Sequence, residues 1–219
     1  MLATYSANPV EGCLEAIKKA CRYAAGCINE CLMAPNNHEG LWIATDSDWA
    51  GDHSMDRTDT KSRTGYICYF NGMPVDWASA KQLAVATSSG DAEARALATG
   101  VQRGLQMQYI AEELGLETGA QLPLHVDATA AIGFARNNGG GSRMKHIDVR
   151  EDWVQSIRDK RRIVIRKVDT KKNPADFFTK LFSQAEFDRV SAGLSCSITW
   201  DKDKQVAVKE VPRIGSTGE

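Results

Sequence analysis

Residues 64–79, TGYICYFNGMPVDWAS, carry the pattern that most restricts how this chain can fold. Tyr66, Cys68 and Phe70 recur at the two-residue period of a strand, and the following NGMP supplies a turn, so the stretch reads as a β-hairpin. The strand-like run EGLWIATDSD precedes it, separated only by the polar loop HSMDRTDTKSR, which is no helical crossover. A long helix follows in SSGDAEARALATGVQRGLQMQYIAEELG, capped by Ser88 or Ser89 and stopped at Gly115. Then come a strand, LPLHVD, a small-residue helix, ATAAIGFARN, and after the loop NGGGSR a further helix, HIDVREDWVQSIRDK. RIVIRKV alternates apolar and basic residues as a strand does, and NPADFFTKLF opens a helix at Pro174, the favoured first position. A run of strands followed by alternating elements points to an α/β fold: a mixed sheet flanked by helices. Ahead of it, NPVEGCLEAIKKACRYAAG (8–26) has helical spacing. After residue 195 one strand, SITW, is expected, followed by loose polar sequence.

The 219 residues suffice for one good core with an appended piece. Hydrophobic residues make up 42% and charged residues 25%, and no apolar run approaches the roughly 20 residues that span a bilayer. The start lacks the charged-then-apolar layout of a secretory signal. The six cysteines form no CxxC pair and have no accompanying histidine spacing, which favours reduced packing cysteines over a disulfide or zinc framework. An intracellular protein, cytoplasmic or nuclear and without a membrane partner, is therefore expected. Charge is unevenly spread: residues 1–126 carry nine Lys/Arg against fifteen Asp/Glu, and residues 127–180 carry thirteen against seven. Such a basic stretch is either a solvated face or a surface for a polyanion beside an acidic region.

The acids fall at informative places. Asp46 ends the first strand and Asp127 ends LPLHVD, where α/β sheets commonly build sites. Glu93 lies in the first turns of the long helix and Asp176 in the first turn of NPADFF, where the helix dipole favours a negative charge. Each position also suits an ordinary turn or cap. If all four converge, the cluster needs cations, and oxygen donors without His or Cys suit Mg²⁺ or Mn²⁺. Read as a calcium loop from Asp46, the sequence fails, because Arg57 stands where the twelfth position requires Glu. A strand followed by Asp-x-Asp also suits aspartyl-phosphate phosphatases and sugar-nucleotide transferases, but the hairpin that follows without a crossover disfavours the first.

Five blocks occur in order: TDSDWAGD, SRTGYICYFNGMPVDWASAKQLAVATSSGDAEARAL, LHVDATAAI, MKHIDVR and NPADFFTK. Together they resemble the ribonuclease H domain of copia-type LTR retrotransposon Pol polyproteins, from about residue 40 to 182. The resemblance implies a ribonuclease H-like fold, a five-stranded mixed sheet with helices on both sides. It makes residues 1–39 the tether or connection helix remnant of the preceding reverse transcriptase, 40–182 the ribonuclease H domain, and 183–219 a C-terminal helix and loose tail. It also implies a D-E-D-D metal site on Asp46, Glu93, Asp127 and Asp176. Two Mg²⁺ ions are expected there, with Mn²⁺ as a substitute, and with Asp46 bridging both, Glu93 and Asp127 on one and Asp176 on the other. The implied activity is hydrolysis of the RNA strand of an RNA–DNA hybrid, leaving a 5′-phosphate and a 3′-hydroxyl. RNA is distinguished by minor-groove contacts to 2′-hydroxyls.

Ser88 and Ser89 match the family's polar segment beside the hybrid, and helix capping is an equally good use of them. Arg63, Lys81, Arg143, Lys145 and His146 are candidates for phosphate contact, with solvated surface the alternative for each. Asp48 belongs to the family's DADWAG-like pattern without being a ligand. It is read here as pointing the other way along the pleat and shaping the turn into Gly51. Asp91 takes the place of a second, non-ligand acid. Ala94 stands where relatives carry an aromatic, Glu151-Asp152-Trp153 where an aromatic–His–aromatic run is common, and TKLF where TKPL is usual. These departures suggest a divergent element copy. No polymerase, integrase or protease motif is visible, so a polyprotein fragment, cleaved product or solo gene is expected, with reverse transcriptase as a partner. The competing reading is a catalytically inactive remnant that binds nucleic acid or protein.

Overall fold

The computed structural model describes residues 5–6, 9–27, 32, 39–49, 60–127, 133, 145–191, 198–201 and 206–210. The chain divides into two compact units, Ala34–Phe182 and, separately, Met1–Met33 with Ser183–Glu219.

In the larger unit, β1 (Leu41–Asp48), β2 (Arg63–Phe70) and β3 (Met73–Lys81) form an antiparallel meander. The helix α2 (Ser89–Glu113) follows, then β4 (Leu122–Val126), α3 (Lys145–Asp159) and β5 (Ile163–Lys167). The sheet order is β3-β2-β1-β4-β5, with β4 parallel to both β1 and β5. This is the five-stranded mixed sheet with flanking helices that the resemblance implies. The β2–β3 turn falls on Asn71 and Gly72, with φ of 49° and 79°. Both are left-handed, as a two-residue hairpin loop requires, which is why Asn-Gly occupies it.

The odd-numbered residues of β1 face α2. Leu41 and Ile43 pack with Leu97, Val101, Leu105, Leu122, Leu124 and Val154 in one core, each such side chain contributing about 1.5–3 kcal/mol of burial. Two glycines bring the helix close. A Cβ on Gly100 would lie 2.2 Å from Thr45 Cγ2, and one on Gly104 would lie 2.4 Å from Leu122 Cδ2.

Four expectations change. Residues 174–178 form a 3₁₀ helix, Pro174–Phe178, rather than the start of an α-helix. The N-terminal helix α1 (Cys13–Gly26) begins behind Gly12, well inside the 8–26 stretch whose spacing is helical. The tail pairs two strands, β6 (Ile198–Asp201) and β7 (Val206–Glu210), where one strand and loose sequence were expected. Asp46 and Asp48 do not point opposite ways, because residues two apart in a strand share a face. They differ in depth: Asp46 is 2% exposed, and Asp48 is only part-buried.

In the smaller unit, Tyr23 of α1 meets Phe187 of α4 (Gln184–Ser191) edge-on at 5.5 Å. The described cysteines 13, 21, 27 and 68 are free thiols; Cys31 and Cys196 lie outside the described residues, as does most of the ATAAIGFARN stretch. Among the described residues no helix is long and apolar enough to cross a membrane.

Candidate metal centre

Three carboxylates reach one point from three elements. Asp46 lies near the C-terminal end of the central strand, opposite Gly65 in the β1–β2 ladder. β4 runs parallel beside it with Ala44 level with His125, and two residues further on that register carries Asp127 level with Asp46. Asp176 comes from the 3₁₀ segment, which crosses the end of the sheet at Gly65. A Cβ on Gly65 would fall 2.7 Å from Thr179 Cγ2 and 2.9 Å from the Ala175 carbonyl oxygen. One carboxylate oxygen each from Asp46, Asp127 and Asp176 lie within 4.8 Å of one another.

Glu93 approaches from the other side of the sheet. It sits seven residues, about two turns, before Gly100, on the stripe of α2 pressed against β1. It is not among the three mutually closest acids, yet it is near enough to feel them. Burial, with the charges of Asp46 and Asp127, pushes its carboxyl up to about 8 against the hydrogen bonding of Ser47. Burial likewise pushes Asp46 up to about 6, although Thr179 and Lys180 act against the rise. Lys180 places its ammonium 2.8 Å from Asp176 Oδ1 and 3.9 Å from Asp46 Oδ2. Burial alone would lower the Lys180 pKa, but Asp176 and Asp46 raise it. Among the described residues Lys180 thus offsets the charge of Asp176, Asp46 and Asp127, while burial strains Asp46 and Glu93 toward the neutral form. An oxygen-only donor set with surplus negative charge and few hydrogen-bond donors fits a hard divalent cation.

Around the acids lies a polar scaffold. Asn173, 3% exposed, donates to the Thr45 carbonyl oxygen at 3.0 Å and to Asp127 Oδ1 at 3.4 Å. The Thr179 hydroxyl donates to Asp46 Oδ2. Asp91 is held by Arg95 at 2.7 Å and by the Thr87 amide at 2.9 Å. Burial would raise its pKa, but these hydrogen bonds keep it below the usual carboxylate range. Its role is to fix the first turn of α2.

The other expected contact residues are spread more widely. Ser88 is the N-cap of α2, its Oγ accepting from the Asp91 amide at 3.1 Å, and Ser89 opens the helix exposed. Arg63 and Lys81 are register partners at the end of the β2–β3 ladder, and Arg63 donates to the Ser79 carbonyl and hydroxyl oxygens. Arg143 lies outside the described residues. Lys145 and His146 open α3, and their side chains lie outside the described set. In KRRIVIRK, Arg162 is used in packing, 5.4 Å over the Tyr109 ring, while Arg166 and Lys167 are exposed on the edge strand β5. Sequence reasoning missed Asn173, Thr179 and Lys180. Their signal was a polar residue three before Asp176 and two at three and four after it.

No family model matches the chain. It is 31% identical over 188 residues to the retrovirus-related Pol polyprotein from transposon TNT 1-94 of Nicotiana tabacum, covering 86% of this chain and 14% of that protein. It is 31% identical over 195 residues to the Pol polyprotein from transposon RE1 of Arabidopsis thaliana, covering 87% and 13%. The chain therefore spans about one seventh of the length of these relatives. Among solved structures, LC11-RNase H1 isolated from compost overlays with a TM-score of 0.48 at 16% identity, over 64% of this chain and 91% of that one.

Proposed function

The chain belongs with the retrovirus-related Pol polyproteins of plant transposons, and we propose that it is a divalent-metal-dependent nuclease that hydrolyses the RNA strand of RNA–DNA hybrids. The observation that carries this reading is the convergence of Asp46, Asp127 and Asp176 within 4.8 Å, from elements separated by up to 130 residues, beside a fourth, half-buried acid, Glu93. Folding such a cluster is costly unless its charge is used.

Asp46, Asp127, Asp176 and Glu93 would hold two Mg²⁺ ions, with Mn²⁺ as a substitute. Bound there, the ions supply a nucleophilic water and stabilise the leaving oxygen in an in-line displacement at phosphorus. The chain's own residues do the rest. The four acids stay ionised when cations offset their charge. Thr179 and Asn173 fix the Asp46 and Asp127 carboxylates, and Lys180 balances the surplus charge at Asp176. Water oxygen bonds to phosphorus as the P–O3′ bond breaks, which leaves a 5′-phosphate and a 3′-hydroxyl. Ser88, Ser89, Arg63 and Lys81, with Arg143, Lys145 and His146, are the residues proposed to meet the hybrid's backbone. Recognition of 2′-hydroxyls across the minor groove selects the RNA strand.

The test is cleavage of a labelled RNA–DNA hybrid in Mg²⁺ by the chain and by Asp127→Asn. Loss of RNA-strand cleavage in the variant supports the reading. Binding of hybrid without cleavage by either protein selects the inactive interaction module instead, and cutting of single-stranded RNA alone removes the strand-selection account.

A further inference from the structure

We infer that Asn173 and Thr179 are positioning residues: with Asp176 between them they form a three-point clasp that sets how tightly the carboxylate cluster holds a divalent cation. This inference rests on the metal-centre reading above.

The geometry is periodic. Asn173, Asp176 and Thr179 are spaced three apart, and the segment joining them is a 3₁₀ helix with Asn173 as N-cap and Thr179 as C-cap. At three residues per turn, positions i and i+3 lie directly above one another. In an α-helix the same three residues would spread around about 120° of its circumference. The 3₁₀ turn thus sets Asp176 between its two caps, and the hydrogen bonds of Asn173 and Thr179, whose own backbone is non-helical, show that they face the same cluster. All three are buried, at 3%, 8% and 4% exposure.

Each of the three meets the cluster separately. Asp176 contributes its own carboxylate. Asn173 spends its amide hydrogens on the Thr45 carbonyl oxygen at 3.0 Å and Asp127 Oδ1 at 3.4 Å, while its own Oδ1 accepts from the Ala175 amide at 3.1 Å. Thr179 has one hydroxyl hydrogen and two acceptors in reach, Asp46 Oδ2 and the Asp176 carbonyl oxygen at 3.3 Å. The carboxylate takes it, because a charged acceptor makes the stronger bond. One seven-residue stretch, Asn173 to Thr179, so ties together acids from β1, the end of β4 and itself. Turns within the stretch fix its shape: the Asp176 amide bonds the Asn173 carbonyl at 3.3 Å, and the Thr179 and Lys180 amides bond the Asp176 carbonyl at 3.1 and 3.0 Å.

The test reads Mn²⁺ affinity by titration calorimetry on folded protein, with thermal melting of the metal-free form alongside. Thr179→Val keeps the shape and removes the hydroxyl; it is expected to weaken Mn²⁺ binding about 10–100-fold, as loss of a ligand-orienting partner does. Thr179→Ser restores the hydroxyl and is expected to bind within a few-fold of wild type. Asn173→Ser keeps a good helix cap but loses both amide donors, so it is expected to weaken Mn²⁺ binding while still folding, which carries the test should Thr179→Val fail to fold. Wild-type affinity in Thr179→Val or Asn173→Ser, or no rescue by Thr179→Ser, overturns the clasp. Absence of Mn²⁺ binding by the wild type overturns the metal centre and the clasp with it. Mn²⁺ binding without hybrid cleavage by the wild type overturns the proposed activity alone, since the affinity series still reads the clasp.

Discussion

Gly65 stands directly across the β1–β2 ladder from Asp46, and its missing side chain is what lets the 173–180 segment lie over that carboxylate. A Cβ there would meet Thr179 Cγ2 at 2.7 Å, and the Ala175 carbonyl oxygen and Phe178 Cβ at 2.9 Å each. Two of these atoms belong to, or sit directly on, a backbone that has little room to yield. Gly65→Ala is therefore predicted to lift the segment, destabilise the fold by about 1–3 kcal/mol and weaken Mn²⁺ binding. Denaturant melts and calorimetry measure the two effects, and a variant unchanged in both contradicts the close approach.

Lys180 gives the opposite sign. Its ammonium is the counter-ion of the metal-free cluster, 2.8 Å from Asp176 Oδ1 and 3.9 Å from Asp46 Oδ2. An entering cation must share the acids with it. A unit charge at about 4 Å is worth about 1–4 kcal/mol in water-like to protein-surface dielectrics. Lys180→Met is predicted to lower the melting temperature without metal and to tighten Mn²⁺ binding by about tenfold. Weaker binding would mean that the lysine supports the ion rather than competing with it.

The acids also set a pH dependence. In the metal-free protein Glu93 titrates at about 8 instead of 4.5, and Asp46 at about 6 instead of 3.8. Between these values the folded state binds more protons than the unfolded chain, so stability falls as pH rises. From pH 5 to 8 in EDTA the melting temperature is predicted to fall, each group adding at most about 1.4 kcal/mol per pH unit. Glu93→Gln should flatten the upper part of that slope, and saturating Mg²⁺ should flatten most of it. Stability that rises over this window would contradict the burial of the acids.

How much of this was legible in the residues varies with the length of the signal. The hairpin was readable because Asn71-Gly72 suits two left-handed φ values, and α2 because its 25 residues repeat the helical period many times. The four acids stood out because strand ends and helix starts are positions with known neighbours. The 3₁₀ segment was not legible as such: Asn before Pro also opens an α-helix, and five residues are too few to tell a period of 3.0 from 3.6. Asn173 and Thr179 were missed for the same reason, since a polar residue at a helix end reads as a cap until the period is known. Asp48 was misread although the two-residue period of a strand already puts it on the face of Asp46. β7 was overlooked although Val206 and Val208 alternate with polar or small neighbours.

The corrected placement of Asp48 makes the central claim sharper, because Asp46 and Asp48 share a strand face and differ only in depth and partners. Asp46 is buried beside Asp127 and Asp176; Asp48 lies level with Arg63 at the strand's end and outside the carboxylate cluster. The direct measurement is cleavage of an RNA–DNA hybrid, labelled on each strand in turn, by wild type, Asp46→Asn and Asp48→Asn in Mg²⁺. Wild type is predicted to cut only the RNA strand, Asp46→Asn to fall to background, and Asp48→Asn to keep most of the activity. Equal losses in the two variants, or undiminished cleavage by Asp46→Asn, would contradict the account.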